Sequence, residues 1–330
     1  MTLRLSQNTQ AILLLAAPLL TGARKTALAK PLSLAEYKSL VGLLRAARLE
    51  PADLLGSASA ELIDRFAKTD ELRERLTALL ARGFLLSEAV ELWASRSIWV
   101  MSRADAEYPA RLKAKLGQDA PPVLYGCGDR VLLDAGGVAV VGSRDAGELE
   151  TAFAVEVGRC AAAIEAPVVS GGARGIDQAG VGAALESGGK AIAILADNLG
   201  RAVVSQAYRP YLRDRRLTLV SPFDPLAGFT VGHAMQRNKL IYAFADVAFV
   251  ASSAFESGGT WSGAVEQLDK LRFAPVYVRH DESSSGLRGL REKGALVAPK
   301  SITPEILRAV LVDTASRARD PSAKQRTLAL

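Results

Sequence analysis

The sequence predicts an α/β protein in which a small helical module precedes a doubly wound parallel sheet and a short polar tail follows it. Three observations carry this reading. Apolar residues recur at helical spacing over residues 1–97; from Val138 onward, short β-rich runs alternate with longer helical stretches; and those short runs are apolar throughout instead of alternating with polar residues. A strand that is apolar on both sides is one covered on both faces, as in a parallel sheet between two layers of helix.

The elements follow in order. "AILLLAAPLL", residues 11–20, reads as a buried helix: it is too short to span a bilayer, and Pro18 and the basic "GARK" that follows supply a stop. "LSLAEYKSLVGLLRAARL" is amphipathic, and Asp53 and Asp70 stand where helix N-caps are expected. Beyond residue 97, Pro109 breaks one element and Pro121-Pro122 another, ahead of a short strand from Val123 to Tyr125. The main domain is expected over residues 98–312. Its strands are "VAVV", "PVVS", "AIAIL", "LTLVS", "VAFV" and "PVYV"; its helices include "ELETAFAVEVGRCAAAI", "DQAGVGAALESG" and "SGAVEQLDKL". Together they make a Rossmann-like domain. The tail, 313–330, is polar and expected to be flexible.

Composition narrows the function. A chain of 330 residues that is 49% hydrophobic buries a full core and is long enough for two domains. Its net charge of +6 and pI near 9.4 favour anionic partners. Cys127 and Cys160 lie far apart, and no Cys or His pair has metal-ligand spacing, so neither a disulfide framework nor a metal site is expected. A reducing cytoplasm suits such a chain, and no membrane association is expected.

In a doubly wound sheet, ligands bind beyond the carboxyl ends of the strands. There "VVSGGARGIDQAG" places Ser170 at a strand end, Gly171, Gly172 and Gly175 where backbone must turn tightly, Arg174 as a forked cation, and Asp177 at the start of a helix. Two more strand ends repeat the pattern: Gly142, Ser143 and Arg144 follow "VAVV", and Ser257, Gly258, Gly259 and Thr260 open a helix after "VAFVASSAFE". Arg237, Asn238 and Lys239 form a fourth element, and Arg174 and Arg237 are expected to share one pocket. The alternative for the Gly171–Gly175 loop taken by itself is a turn that needs glycine for packing only, and the repetition at the other strand ends weighs against it. None matches G-x-G-x-x-G or G-x-x-x-x-G-K-[ST], so neither a dehydrogenase cofactor nor a P-loop nucleotide is expected, and a phosphate-bearing ligand is. "RAVVSQAYRPYLRDRR" interleaves Tyr208 and Tyr211 with Arg201, Arg209, Arg213, Arg215 and Arg216, which fits either strand binding or a solvated helix face.

The runs "EYPARL…APPVLYGCGD", "VAVVGSR", "VVSGGARGID", "GAALESGGKAIAIL", "LVSPFDP" and "QRNKLI…ADVAFVASS" stand in the order and spacing of the DprA/Smf family, which the chain resembles from about Trp99 to Val297. That resemblance implies a Rossmann-like domain that binds single-stranded DNA in a basic pocket, as a homodimer, without catalytic turnover or cofactor. It also implies help in loading a RecA-type recombinase during natural transformation. The sequence departs from the pattern at Gly180, about where the family carries a histidine, at Lys239, where an arginine is usual, and at Trp261, a large addition to the late glycine motif. A different class, the LOG-type phosphoribohydrolases of the same SLOG superfamily, resembles P-G-G-x-G-T-x-x-E; here Gly258-Gly259-Thr260 is followed only at Glu266 by an acid, too far for that spacing. A non-catalytic nucleotide sensor, for instance in a defence system, is the third reading.

Overall fold

In the computed structural model, which describes residues 4–22 and 29–319, the apolar run near the N-terminus is a buried helix, α1 (Gln7–Ala16). Ser6 caps it by accepting the Thr9 amide at 3.1 Å. The chain divides into two units. One comprises Met1–Cys127, Ala196–Arg209 and Leu219–Thr230; the other comprises Gly128–Leu195, Pro210–Thr218 and Val231–Leu330. A boundary at residue 97 does not coincide with this division, because the first unit takes in two strands and two later segments.

The first unit continues with α2 (Leu34–Ala46), a 3-10 turn (Pro51–Leu55), α3 (Ser59–Phe66), α4 (Asp70–Leu80) and α5 (Gly83–Ser95). Ser33 and Glu36 close a capping box at the start of α2. The two aspartates expected as caps serve otherwise. Thr69 caps α4 by accepting the Leu72 amide, leaving Asp70 in the first turn paired with Arg73 at 2.9 Å, and Asp53 accepts the Glu50 amide at 2.7 Å. Helix ends leave carbonyls without partners. At the end of α1 a buried cation supplies them: Arg82 donates to the carbonyls of Leu14 and Ala17, and burial lowers its pKa only to about 10, so it stays charged.

β1 (Trp99–Ser102), α6 (Ala110–Leu116) and β2 (Val123–Cys127) follow, and the two strands run antiparallel, with Met101 opposite Leu124. The first unit thus adds an antiparallel pair ahead of the region, from Val138 onward, where the parallel sheet is expected. Trp93 meets Tyr125 edge-on at 5.1 Å. Asp105 binds Ser6 Oγ, Thr9 Oγ1 and the Ser102 amide, each at 2.7 Å, tying α1 to β1.

The second unit runs β3 (Val138–Val141), α7 (Glu148–Ala163), β4 (Val168–Ser170), α8 (Ile176–Glu186) and β5 (Ala191–Ile194). The chain passes through α9 (Leu199–Ala202) and α10 (Arg209–Arg213), and β6 (Leu217–Ser221) is shared between the units. Then come α11 (Val231–Phe244), β7 (Val247–Val250), α12 (Gly258–Glu266) with a π-turn after it (Gln267–Leu271), β8 (Val276–Val278), α13 (Ser285–Glu292), β9 (Leu296–Val297) and α14 (Pro304–Arg319). Its parallel strands lie in the order β5-β4-β3-β7-β8-β9, with Val138 between Val168 and Val247. This is the doubly wound Rossmann order, with its reversal between β3 and β7. Every residue of β3, β4, β5 and β7 is buried, as their apolar runs require.

Two further expectations meet the structure here. α14 continues to Arg319, so residues 313–319 are helical and the expected tail does not begin at 313; residues 320–330 lie outside the described residues. Among the described residues no helix is long and apolar enough to cross a membrane.

Asp224, in the first unit, is 3% exposed and accepts the amides of Leu20 and Leu226, each at 3.0 Å. Burial raises its pKa to about 6 despite those bonds. The folded chain therefore binds this proton more tightly than the unfolded chain, in which an aspartate titrates near 3.9. Its contribution to stability is full below about pH 4 and is lost as pH rises through about 6. Thermal unfolding of Asp224→Asn beside the parent should show the parent gaining on the order of 2–3 kcal/mol relative to the variant between pH 7 and 4. Parallel profiles would refute this assignment.

Candidate functional site

The reversal of strand order brings the turns after β3 and β7 together. Thr260 Oγ1, in the first turn of α12, donates to the Gly142 carbonyl at 2.9 Å, and the Ser143 amide donates to Ser252 Oγ at 2.9 Å. The turn after β4 joins them through the Ile176 amide, which donates to the Ser143 carbonyl at 3.3 Å. Three of the expected loops thus meet at the carboxyl edge of one sheet. Ser252, which sequence reasoning missed, stands in "ASS" after the "VAFV" strand, with no glycine or cation beside it to mark it.

Within "SGGARGID", each residue has a separate reason to be there. Ser170 is buried and its hydroxyl donates to the Val140 carbonyl at 2.6 Å, fixing the end of β4 to β3. Gly172 (φ +66°) and Gly175 (φ +78°) occupy the left-handed region, and a side chain at Gly175 would strike the Ser143 and Arg144 carbonyls. Gly171 is glycine for another reason: the Arg237 guanidinium fills the place its side chain would take. Asp177 Oδ2 accepts the amides of Gly171 and Ala173, at 3.1 and 3.4 Å, and faces Arg237 Nη1 at 3.7 Å. Both residues are buried. Burial pushes the Asp177 carboxyl up, while Arg237 and the two amides pull it back.

Arg174 is exposed on the same turn. The expected shared pocket for Arg174 and Arg237 is therefore corrected: Arg237 lies under the turn on Asp177, and Arg174 lies outside it. The rest of that fourth element is likewise engaged. Asn238 Nδ2 donates to the Gly259 carbonyl at 3.0 Å, beside a Gly263 that leaves it room, and Lys239 pairs with Glu266 at 3.0 Å. Arg237, Asn238 and Lys239 thus tie α11 to the β4 turn and to α12.

What remains open toward solvent is smaller than the sequence suggested. Among the described residues, the amides of Gly172, Arg174 and Gly175 have no protein acceptor. Neither Gly175, which precedes α8, nor Ser257, which precedes α12, makes a side-chain cap bond, and Ser257, Gly258 and Gly259 are exposed. Arg144 is exposed on the turn after β3. Free amides at helix starts beside cations suit an anion.

The departures from the family pattern also find their places. A side chain at Gly180 would press into Val140 on β3, and Gly158 of α7 faces the Gly180 carbonyl, so this position serves close packing of two helices on the sheet. Trp261 turns inward, edge-on to Phe255 at 5.2 Å and against Gly289. In the basic stretch, Arg215 pairs with Asp129 at 2.9 Å, and Arg216 donates to the Leu185 carbonyl while lying 5.2 Å from the Tyr211 ring centre. These contacts hold the chain ahead of β6.

Fold and edge together define a Rossmann-like α/β protein. The chain belongs to the DNA recombination-mediator protein A family, whose sequence pattern matches residues 99–307. It is 32% identical over 181 residues to the DNA processing protein DprA of Streptococcus pneumoniae, a stretch that covers 54% of this chain and 63% of that relative, less than two thirds of its length. The fold is similar to the X-ray structure of DprA from Streptococcus pneumoniae, with a TM-score of 0.64 and 23% identity over 84% of this chain and 93% of that one. It is also similar to that of DNA processing protein A from Helicobacter pylori, described for its single-stranded DNA binding mode, with a TM-score of 0.51 and 21% identity over 66% of this chain and 96% of that one.

The buried pair makes a stability prediction. Asp177→Ala leaves the Arg237 charge buried without its carboxylate and should cost about 3–5 kcal/mol in urea unfolding. Asp177→Ala combined with Arg237→Met should lose less than the sum of the single changes. Strict additivity would mean that the two groups do not interact.

Proposed function

We propose that the carboxyl edge of the parallel sheet binds the phosphate backbone of single-stranded DNA, and that the protein holds the strand for a RecA-type recombinase without chemical turnover. Membership of a recombination-mediator family supports the strand as ligand. The observation that carries the place is the turn over residues 171–175, where exposed Arg174 stands beside amides with no protein acceptor at the start of α8. In this reading Gly142, Ser143, Arg144, Ser257, Gly258, Gly259 and Thr260 continue the same edge, while Asp177, Arg237, Asn238 and Lys239 hold it in shape. Binding through phosphates accounts for the basic charge balance and needs no base-specific contact. A homodimer working in the cytoplasm during DNA uptake completes the proposal.

Hydrolysis is the weaker reading. Glu266 lies six residues beyond Thr260, about 9 Å along the helix axis. It is paired with Lys239 and does not stand at the turn where a ligand phosphate would lie.

Removing one charge-assisted phosphate contact costs about 1.5–3 kcal/mol, so Arg174→Ala should weaken single-strand binding roughly tenfold to a hundredfold. The loss should be alike for every oligonucleotide sequence, and the salt slope should fall by about one unit. Fluorescence anisotropy over a salt series measures both. Unchanged affinity and slope in a folded Arg174→Ala protein would remove this turn from the binding surface.

A further inference from the structure

The first unit holds a second basic concavity, which the sheet-edge reading does not use. It is a cleft of about 460 Å³ between α2, the turn that follows it, and the loop after β1. Lys38 and Arg45 line it from α2, Arg48 from the turn and Arg103 from the β1 loop, and Glu50 is the one carboxylate among its lining residues. That carboxylate already accepts Asn8 Nδ2 at 2.8 Å. Lys38 has a surface partner in Asp119, and Arg103 donates to the Gln118 carbonyl. Arg45 and Arg48 are exposed, and among the described residues neither has an ion pair.

Folding does not ask for this arrangement. The end of α2 suits one cation, Arg45, through its carbonyls, but Arg48 lies beyond the helix with its backbone in the left-handed region (φ +59°). With Lys38 already met by Asp119, gathering Arg45, Arg48 and Arg103 beside the single carboxylate of Glu50 still leaves an excess of positive charge that an anion would relieve. Tyr37 forms part of the wall. Its hydroxyl is pushed up to about 12 by burial, and the charges of Arg103 and Arg45, which line the same cleft, act in the opposite direction. Spacing narrows the ligand further. Lys38 and Arg45 are seven residues apart on one helix, about 10 Å along its axis, a spacing that suits two linked phosphates.

We propose that this cleft is a binding site for linked phosphates, taken either from consecutive phosphodiesters of a nucleic-acid strand or from a nucleoside polyphosphate. Arginine forks meet phosphate oxygens in pairs, and no base recognition is needed. The site stands independently of the sheet edge.

The test uses the full chain carrying Arg45→Ala and Arg48→Ala together, in the parent and in the Arg174→Ala background, with thermal unfolding as the check on folding. A labelled oligothymidine, a nucleoside triphosphate and inorganic phosphate are titrated separately. Loss of roughly tenfold or more for the oligothymidine, with a salt slope lower by about two units, supports the site and names the strand as its source. A comparable loss for the triphosphate names the nucleotide. If Arg174→Ala alone changes nothing while the double change still weakens binding, the sheet-edge reading fails and the cleft stands. Unchanged binding of both oligothymidine and triphosphate overturns the proposal, as does a loss confined to inorganic phosphate. Arg45→Lys with Arg48→Lys should restore the salt slope but only part of the affinity, because charge is kept and the fork is lost.

Discussion

Beneath the glycine turn after β4, a buried carboxylate and a buried guanidinium meet, and the geometry around the sheet's carboxyl edge follows from them. Asp177 lies in the first turn of α8 and Arg237 on α11, so their attraction joins two helices through residues sixty positions apart in the chain. The same carboxylate gathers the amides of Gly171 and Ala173 and so curls the turn back on itself. Gly171 must lack a side chain because the guanidinium passes through its space. Such a pair contributes little net stability against a well-packed apolar alternative, but losing one member leaves an uncompensated charge. Its effect is on shape: it holds the turn against α11, while Arg174 on the same turn is exposed.

The other polar groups of the edge continue this division of labour. Asn238, Lys239, Ser143 and Thr260 each bind another part of the protein, and each bond crosses between elements distant in sequence. An edge made rigid in this way presents its remaining amides and cations at fixed positions, so a ligand need not spend binding energy on ordering them. The cations of the "RAVVSQAYRPYLRDRR" stretch show the same economy, since Arg215 and Arg216 hold protein groups. A basic sequence is therefore a poor guide to which basic residues face a ligand.

The first unit solves its own buried-polar problems by comparable means. Arg82 collects the carbonyls at the end of α1, and Asp105 joins Ser6, Thr9 and Ser102. Each group repays its desolvation through several hydrogen bonds. By contrast, the cleft beside α2 leaves Arg45 and Arg48 uncommitted at its mouth.

Much of the fold was legible from local pattern. Continuous apolar runs marked β3 to β8, because a strand covered on both faces cannot hide its composition, and the glycines of "SGGARGID" marked a turn because only glycine enters the left-handed region cheaply. The antiparallel pair β1 and β2, the Thr69 cap and the helical course of α14 past residue 312 were less visible, since short strands, caps and polar helices rest on partners far away in the chain. At the edge, residue types announced charge and flexibility but not direction. Arg174 and Arg237 read alike as cations near turns; only tertiary structure set one against Asp177 and left the other in solvent, because a buried charge is tolerable only where the fold brings it an opposite one.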